Sequence, residues 1–133
     1  VGTAIGSYQK ALKYSLEREA FGKKINQFQS ISFKLADMAT KIEASKLLVY
    51  NAAWLKDQGV DVIKQAAMAK LFSSEIAMEV TSDSIQVMGG NGYVREGQVE
   101  RFFRDAKILE IGEGTSEIQR LIIGREIIKD IIL

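Results

Sequence analysis

Residues 28–52 read FQSISFKLADMATKIEASKLLVYNA, and their spacing decides the fold. Phe28, Ile31, Leu35, Met38, Ile42, Ser45, Val49 and Ala52 recur at steps of three and four. An α-helix turns once in about 3.6 residues, so these steps put the set on one face. The stripe is heptad-like, as in a helix that packs against neighbours at a shallow angle. Asn26 is expected to cap its start, with Gln29 three residues on, and Gly59 to end it in a left-handed conformation. The predicted helix spans ~30 residues, or ~45 Å at 1.5 Å per residue.

The same period runs outward in both directions. Upstream, Ile5, Tyr8, Leu12 and Leu16 share a face of a helix from Val1 to about Glu19, which Phe21-Gly22-Lys23-Lys24 interrupts. Downstream, Asp61 can cap a third helix carrying Ile63, Ala67, Leu71, Ser74, Met78, Thr81, Ile85 and Met88. Gly89-Gly90-Asn91-Gly92 should stop it, because glycine weakens any regular element. A short helix is expected from Gln98 to about Lys107, then a loop over Glu110–Gly114. Thr115 or Ser116 should cap a last helix with Ile118, Leu121, Ile122, Arg125, Ile128 and Ile132 on its inner side. Ile127, Ile131 and Leu133 would then be exposed and point to a further partner surface. No strand alternation survives. The expectation is one all-α domain over 1–133, an antiparallel, up-down-up-down four-helix bundle with an extra short helix. Val1-Gly2-Thr3-Ala4-Ile5 reads as mid-helix without a cap, as expected of a fragment of something longer.

Composition narrows the chemistry. With 133 residues, 47% hydrophobic content and a net charge of +1, the chain can bury its own core and presents no dedicated nucleic-acid surface. Absent proline leaves long helices unbroken. Without cysteine there is neither a disulfide nor a thiolate zinc site. Without histidine, proton transfer near pH 7 falls to a carboxylate, lysine or tyrosine in a perturbed environment. No metal site is expected. No apolar run approaches the ~20 residues of a membrane span, and no signal-peptide pattern opens the chain.

Three short stretches could carry function. Arg18-Glu19-Ala20-Phe21-Gly22-Lys23-Lys24 sets three cations beside a glycine turn, suited to phosphate. Cations at a helix C-terminus are also favoured by the dipole alone. Gln86-Val87-Met88-Gly89-Gly90-Asn91-Gly92-Tyr93 offers bare backbone that a pyrophosphate can approach, although it also reads as an ordinary helix end and turn. Gly112-Glu113-Gly114-Thr115 sets a carboxylate between glycines just before a helix. Glu113 could merely favour the positive helix end, or be a base on closely approachable backbone. As a base it needs an apolar, ligand-covered pocket to raise its pKa.

In this order the stretches resemble the acyl-CoA dehydrogenase family over nearly the whole chain. The resemblance rests on Gly89-Gly90-x-Gly92-Tyr93 with Glu96, Arg101 and Asp105, and on Arg104-Asp105-Ala106-Lys107. It rests also on Glu113-Gly114-Thr115-Ser116-Glu117-Ile118-Gln119-Arg120 and on Arg18-x-x-Phe21-Gly22-x-x-Ile25-x-x-x-Gln29. It implies a subunit with an N-terminal helical domain, a middle β domain and this C-terminal bundle. FAD would lie between the middle domain and the C-terminal bundles of two subunits. Arg18, Phe21 and Gln29 would contact the flavin nucleotide of the neighbouring subunit, and Gln86, Gly89 and Gly90 would line its adenosine and pyrophosphate portion. Thr115 and Glu117 would contact FAD near the last helix. Glu113 matches the catalytic glutamate, and Gly114 would lie against the thioester of an acyl-CoA. The implied reaction is α,β-dehydrogenation, in which Glu113 takes the α-proton and the β-hydrogen leaves as hydride to the flavin. The Glu113 loop is expected near the Gly89-Gly90 bend and open to ligand.

Other implications are an electron-transfer flavoprotein as acceptor and a homo-oligomer built as a dimer of dimers. A cytoplasmic location follows in a bacterium, or the mitochondrial matrix in a eukaryote. Many relatives carry tyrosine where Gly112 stands, so a wider acyl pocket suited to short or branched chains is expected. The alternatives are an acyl-CoA oxidase domain or a non-catalytic assembly bundle.

Overall fold

The computed structural model describes residues 1–132; the expectations placed on the Ile132 side chain and on Leu133 lie outside the described residues. The heptad-like stretch forms helix α2, Gln29–Asp57, with Leu35, Met38, Ile42, Ser45 and Ala52 buried. Its start differs from expectation. Asn26 sits in a short 3-10 turn, Ile25–Gln27, and Phe28 takes the cap position without a side-chain bond. The chain must first complete a hairpin, so the helix starts later than the candidate cap. Gly59 is left-handed at φ +77°, as expected.

Helix α1, Gly2–Glu17, buries Ala4, Ser7, Ala11 and Ser15 rather than the larger residues of its apolar face. Ile5, Tyr8 and Leu12 flank that stripe and pack on the core from its side, while Leu16 is exposed. Small side chains let the helix backbones come close, and the bulkier neighbours close the seam. After α1 the chain makes a two-residue antiparallel ladder, β1 (Glu19–Ala20) with β2 (Lys23–Lys24). This minimal sheet was not legible in the sequence, because two residues carry no alternation.

Helix α3, Ile63–Met88, lies at the centre and touches α1, α2 and the three helices that follow. Its burial runs around the helix, through Ala67, Ala69, Ile76, Ala77, Val80, Ser84 and Val87, as a central helix requires. Asp61 accepts the Ile63 amide at 3.1 Å, the expected cap. The glycine cluster forms one helical turn, α4 (Gly90–Tyr93), where no regular element was expected. Helix α5, Val99–Ile111, runs four residues beyond its predicted end, so the loop shortens to Gly112–Thr115. Helix α6 is Ser116–Ile132.

The inner side of α6 departs from the sequence reading. Ser116 and Gln119 are buried, with Ile122 and Ile123 half-buried, whereas Ile118, Leu121 and Ile128 are exposed. Gln119 turns inward because its side-chain amide donates to the carbonyls of Glu113 and Gly114, at 3.3 and 3.2 Å. Loop carbonyls that need donors thus fix the helix rotation in place of apolar periodicity. Arg120–Glu75 at 2.5 Å and a Lys64–Asp130 ion pair hold α6 on α3. Ile127 and Ile131 are exposed, as expected. On the outer side of α2, Phe33, Leu47, Tyr50 and Trp54 also face solvent. No helix is long and apolar enough to cross a membrane among the described residues.

Candidate functional site

The anticipated residues fall into groups set apart along α3, one at its C-terminal end and one beside its first half. At its C-terminal end, Gly89 adopts φ +57°, ψ −135°, a conformation that side chains rarely take. A Cβ on Gly89 or Gly90 would meet nothing within 4 Å, so this backbone is open to approach. Gln86, Gly89 and Gly90 line a cleft of about 430 Å³ together with Arg18, Tyr14 and Ile25. Arg18 is the C-cap of α1, its amide bonded to Tyr14 O at 2.8 Å. Its exposed guanidinium makes no ion pair among the described residues. The Gly89 amide is bonded to Gln86 O at 3.3 Å, but a free cation beside closely approachable glycine backbone suits a pyrophosphate.

Two more expected residues stand nearby on the hairpin. Phe21, at φ +51°, forms the turn and is 96% exposed. It meets Phe28 edge-on at 6.2 Å between centroids, and Lys23 Nζ stands 4.2 Å above the Phe28 ring. Gln29 is the exposed first residue of α2. The sequence reading missed Tyr14, whose hydroxyl accepts from Asn91 Nδ2 at 2.6 Å, tying α1 to the glycine turn. Nothing in their sequence spacing announces that pair.

Glu113 stands towards the other end. Its loop packs on Lys70, about 27 Å of helix rise from Met88, at the end of the helix next to Gly89. The expected closeness of the two within one chain is therefore corrected. The two stand apart because α5 runs back along α3 before the loop forms. Glu113 adopts φ +57° and Gly114 φ +91°, two left-handed residues in succession. A Cβ on Gly114 would stand 2.8 Å from Gln119 Nε2, so that position needs glycine for space as well as for φ. The Glu113 carboxylate is exposed and unpaired among the described residues, and its backbone amide has no protein acceptor there. It borders a pocket of about 390 Å³ whose apolar wall is Val1, Ile108 and Leu109 and whose polar side is Lys70, Ser73 and Ser74.

Thr115 and Glu117 line a separate recess of about 200 Å³ with Lys107 and Arg120. Thr115 Oγ1 accepts the Ile118 amide at 3.3 Å, making it the cap of α6. The Glu117 carboxyl is held below the usual carboxylate range by its own backbone amide and the Thr115 hydroxyl. Another concavity, about 670 Å³ around Lys10, Arg95, Gln98 and Arg101, holds none of the expected residues. No cluster of metal-ligating side chains occurs among the described residues.

Comparison with known proteins gives one consistent result. Residues 1–128 match the family described as "Acyl-CoA dehydrogenase, C-terminal domain". The chain is 52% identical over 129 residues to a probable acyl-CoA dehydrogenase of Bacillus subtilis, YngJ, covering 97% of this chain and 34% of that protein. It is 48% identical over 129 residues to the caffeyl-CoA reductase-Etf complex subunit CarC of Acetobacterium woodii, again covering 97% and 34%. It superposes on butyryl-CoA dehydrogenase from Megasphaera elsdenii with a TM-score of 0.94 and 46% identity, covering 96% of this chain and 33% of that one. The chain thus spans about a third of the length of these relatives.

Proposed function

The chain belongs to the acyl-CoA dehydrogenase family, whose C-terminal domain it forms, and we propose that it supplies the proton-abstracting base, Glu113, to a flavin-dependent α,β-dehydrogenation of an acyl-CoA thioester. The observation that carries this reading is an unpaired, exposed carboxylate held on left-handed backbone beside a pocket with one apolar wall. A solvated surface glutamate has no need of such backbone, which costs about 1–3 kcal/mol and persists only where surroundings impose it.

In this reading the α C–H bond of the substrate breaks at the Glu113 carboxylate. The proton goes to the carboxylate, and the electron pair delocalises into the thioester carbonyl. The free Glu113 amide is a donor for that carbonyl oxygen, where charge develops. Gly114, next to Glu113 in the loop, would lie against the thioester. FAD, when bound, accepts the β-hydrogen as hydride. The open Gly89-Gly90 backbone and free Arg18 fit a pyrophosphate. Arg18, Phe21, Gln29, Gln86, Gly89 and Gly90 would hold FAD from one chain, with Thr115 and Glu117 from the other. The separation of the two groups along α3 suits a chain that serves two cofactor sites. That arrangement entails a homo-oligomer, and the apolar side chains left bare on α2 and α6 suit burial between copies or against the other domains. An electron-transfer flavoprotein is the proposed acceptor, in keeping with the name of the Acetobacterium woodii relative.

The test is anaerobic bleaching of the full-length flavoprotein by acyl-CoA. Gly112 closes α5 in extended backbone at φ −69° and borders the Glu113 pocket without a side chain. Butyryl-CoA and 2-methyl-branched acyl-CoA are therefore expected to reduce the flavin faster than octanoyl-CoA. A clear preference for octanoyl-CoA overturns the wide-pocket reading, and no bleaching by any acyl-CoA overturns the function. Residues 1–133 alone, lacking the other wall of either cofactor site, are expected to purify colourless and inactive; an absorbance spectrum decides it.

A further inference from the structure

We propose that Lys70 is the positioning residue that holds Glu113 in its reactive conformation, an inference that rests on Glu113 being the base. Lys70 stands on α3, in the first half of the helix, where it interrupts the otherwise apolar run Ala66–Phe72. Its ammonium donates to the Gly114 carbonyl at 2.6 Å. That is its one polar contact among the described residues, and it joins no ion pair there. The neighbouring hydroxyls do not share the task, since Ser73 and Ser74 turn back to carbonyls of their own helix.

Two left-handed residues in succession swing the Glu113 and Gly114 carbonyls out of any helical ladder. Carbonyls turned over a packed helix need donors. Gln119 serves both, but at 3.3 and 3.2 Å with a neutral amide. The Lys70 bond is shorter and charge-assisted, hence the stronger of the fixings. It also comes from a different element. Gln119 ties the loop to α6, which the loop itself begins, whereas Lys70 ties it to the rigid centre of the bundle. Without Lys70 the loop and α6 could shift together relative to α3. The Glu113 carboxylate would then stray from the α-carbon, and displacements of about 1 Å cost on the order of 10²-fold in rate. Lys70 also borders the Glu113 pocket, so its removal acts where substrate must sit.

The experiment uses the full-length holoenzyme with Lys70→Met, which keeps the stem and removes the charge, and Lys70→Arg, which restores a donor. Both are compared with wild type and Glu113→Gln for flavin content, KM for butyryl-CoA, the rate of anaerobic flavin reduction and the isotope effect with α-deuterated butyryl-CoA. For Lys70→Met we expect full flavin content, a KM within about threefold, a reduction rate lowered about 10- to 100-fold and a larger α-deuterium effect. Lys70→Arg should recover most of the rate. Should the methionine variant not fold, Lys70→Gln is read by the same criteria. Wild-type rate and isotope effect in Lys70→Met, or a loss that merely tracks lost flavin, overturns the inference. An undiminished rate in Glu113→Gln instead overturns the assignment of the base, whatever Lys70 does.

Discussion

Glu113→Gln in the full-length enzyme is expected to lower flavin reduction by acyl-CoA about 10²- to 10⁴-fold, the range for a lost general base, while the protein stays yellow. The exchange is nearly isosteric. The side chain is exposed and makes no hydrogen bond or ion pair among the described residues, so the fold loses nothing with it. The backbone conformation is held by the carbonyls of Glu113 and Gly114, which the exchange leaves in place. Substrate binding should also persist, because in the proposed reading the thioester is held by backbone. The effect should therefore fall on kcat with little change in KM, the signature of an interaction made in the transition state. Stopped-flow absorbance at the flavin band checks this. A rate within a few-fold of wild type would mean that another carboxylate is the base. Glu110 and Glu117 are the nearest in sequence, but Glu110 is paired with Lys107 at 2.5 Å, and the Glu117 carboxyl is held below the usual range by its own amide and the Thr115 hydroxyl.

The second large effect concerns stability. Met38→Ala is expected to cost about 2–5 kcal/mol, the usual range for truncating a fully buried long side chain. Met38 has no exposed surface and sits among Ala4 of α1, Leu35 and Ile42 of α2, Ile76, Ala77 and Val80 of α3, and Ala106 of α5. Several of these neighbours are alanines, with no side chain to swing into the space left behind. The cavity should stay open, which puts the cost towards the upper part of that range. Thr40→Ala, two residues on and exposed, should cost about 0.5 kcal/mol or less. Urea unfolding of wild type and both variants checks the contrast. Equal midpoints for Met38→Ala and wild type would show that α2 does not pack through this side chain.

The sequence by itself determined the five longer helices and singled out the stretches that hold the candidate site residues. Three- and four-residue spacing places Leu35, Met38 and Ile42 on the buried face of α2 whatever surrounds them, because the period belongs to the helix alone. Gly59, Asp61 and Thr115 mark ends and caps through local bonds within a few residues. The Gly89-Gly90 and Glu113 stretches stood out for the same reason, since glycine declares open or left-handed backbone directly. Tertiary structure alone decided the rest. The inward face of α6 follows Gln119, which answers carbonyls on a loop that periodicity does not see. Lys70 acquires its role from a residue 44 positions away. The distance between the two site groups is set by α5 running back along α3. Such features are contacts between segments distant in the chain, and a one-dimensional pattern records local geometry, not which distant polar groups must satisfy one another.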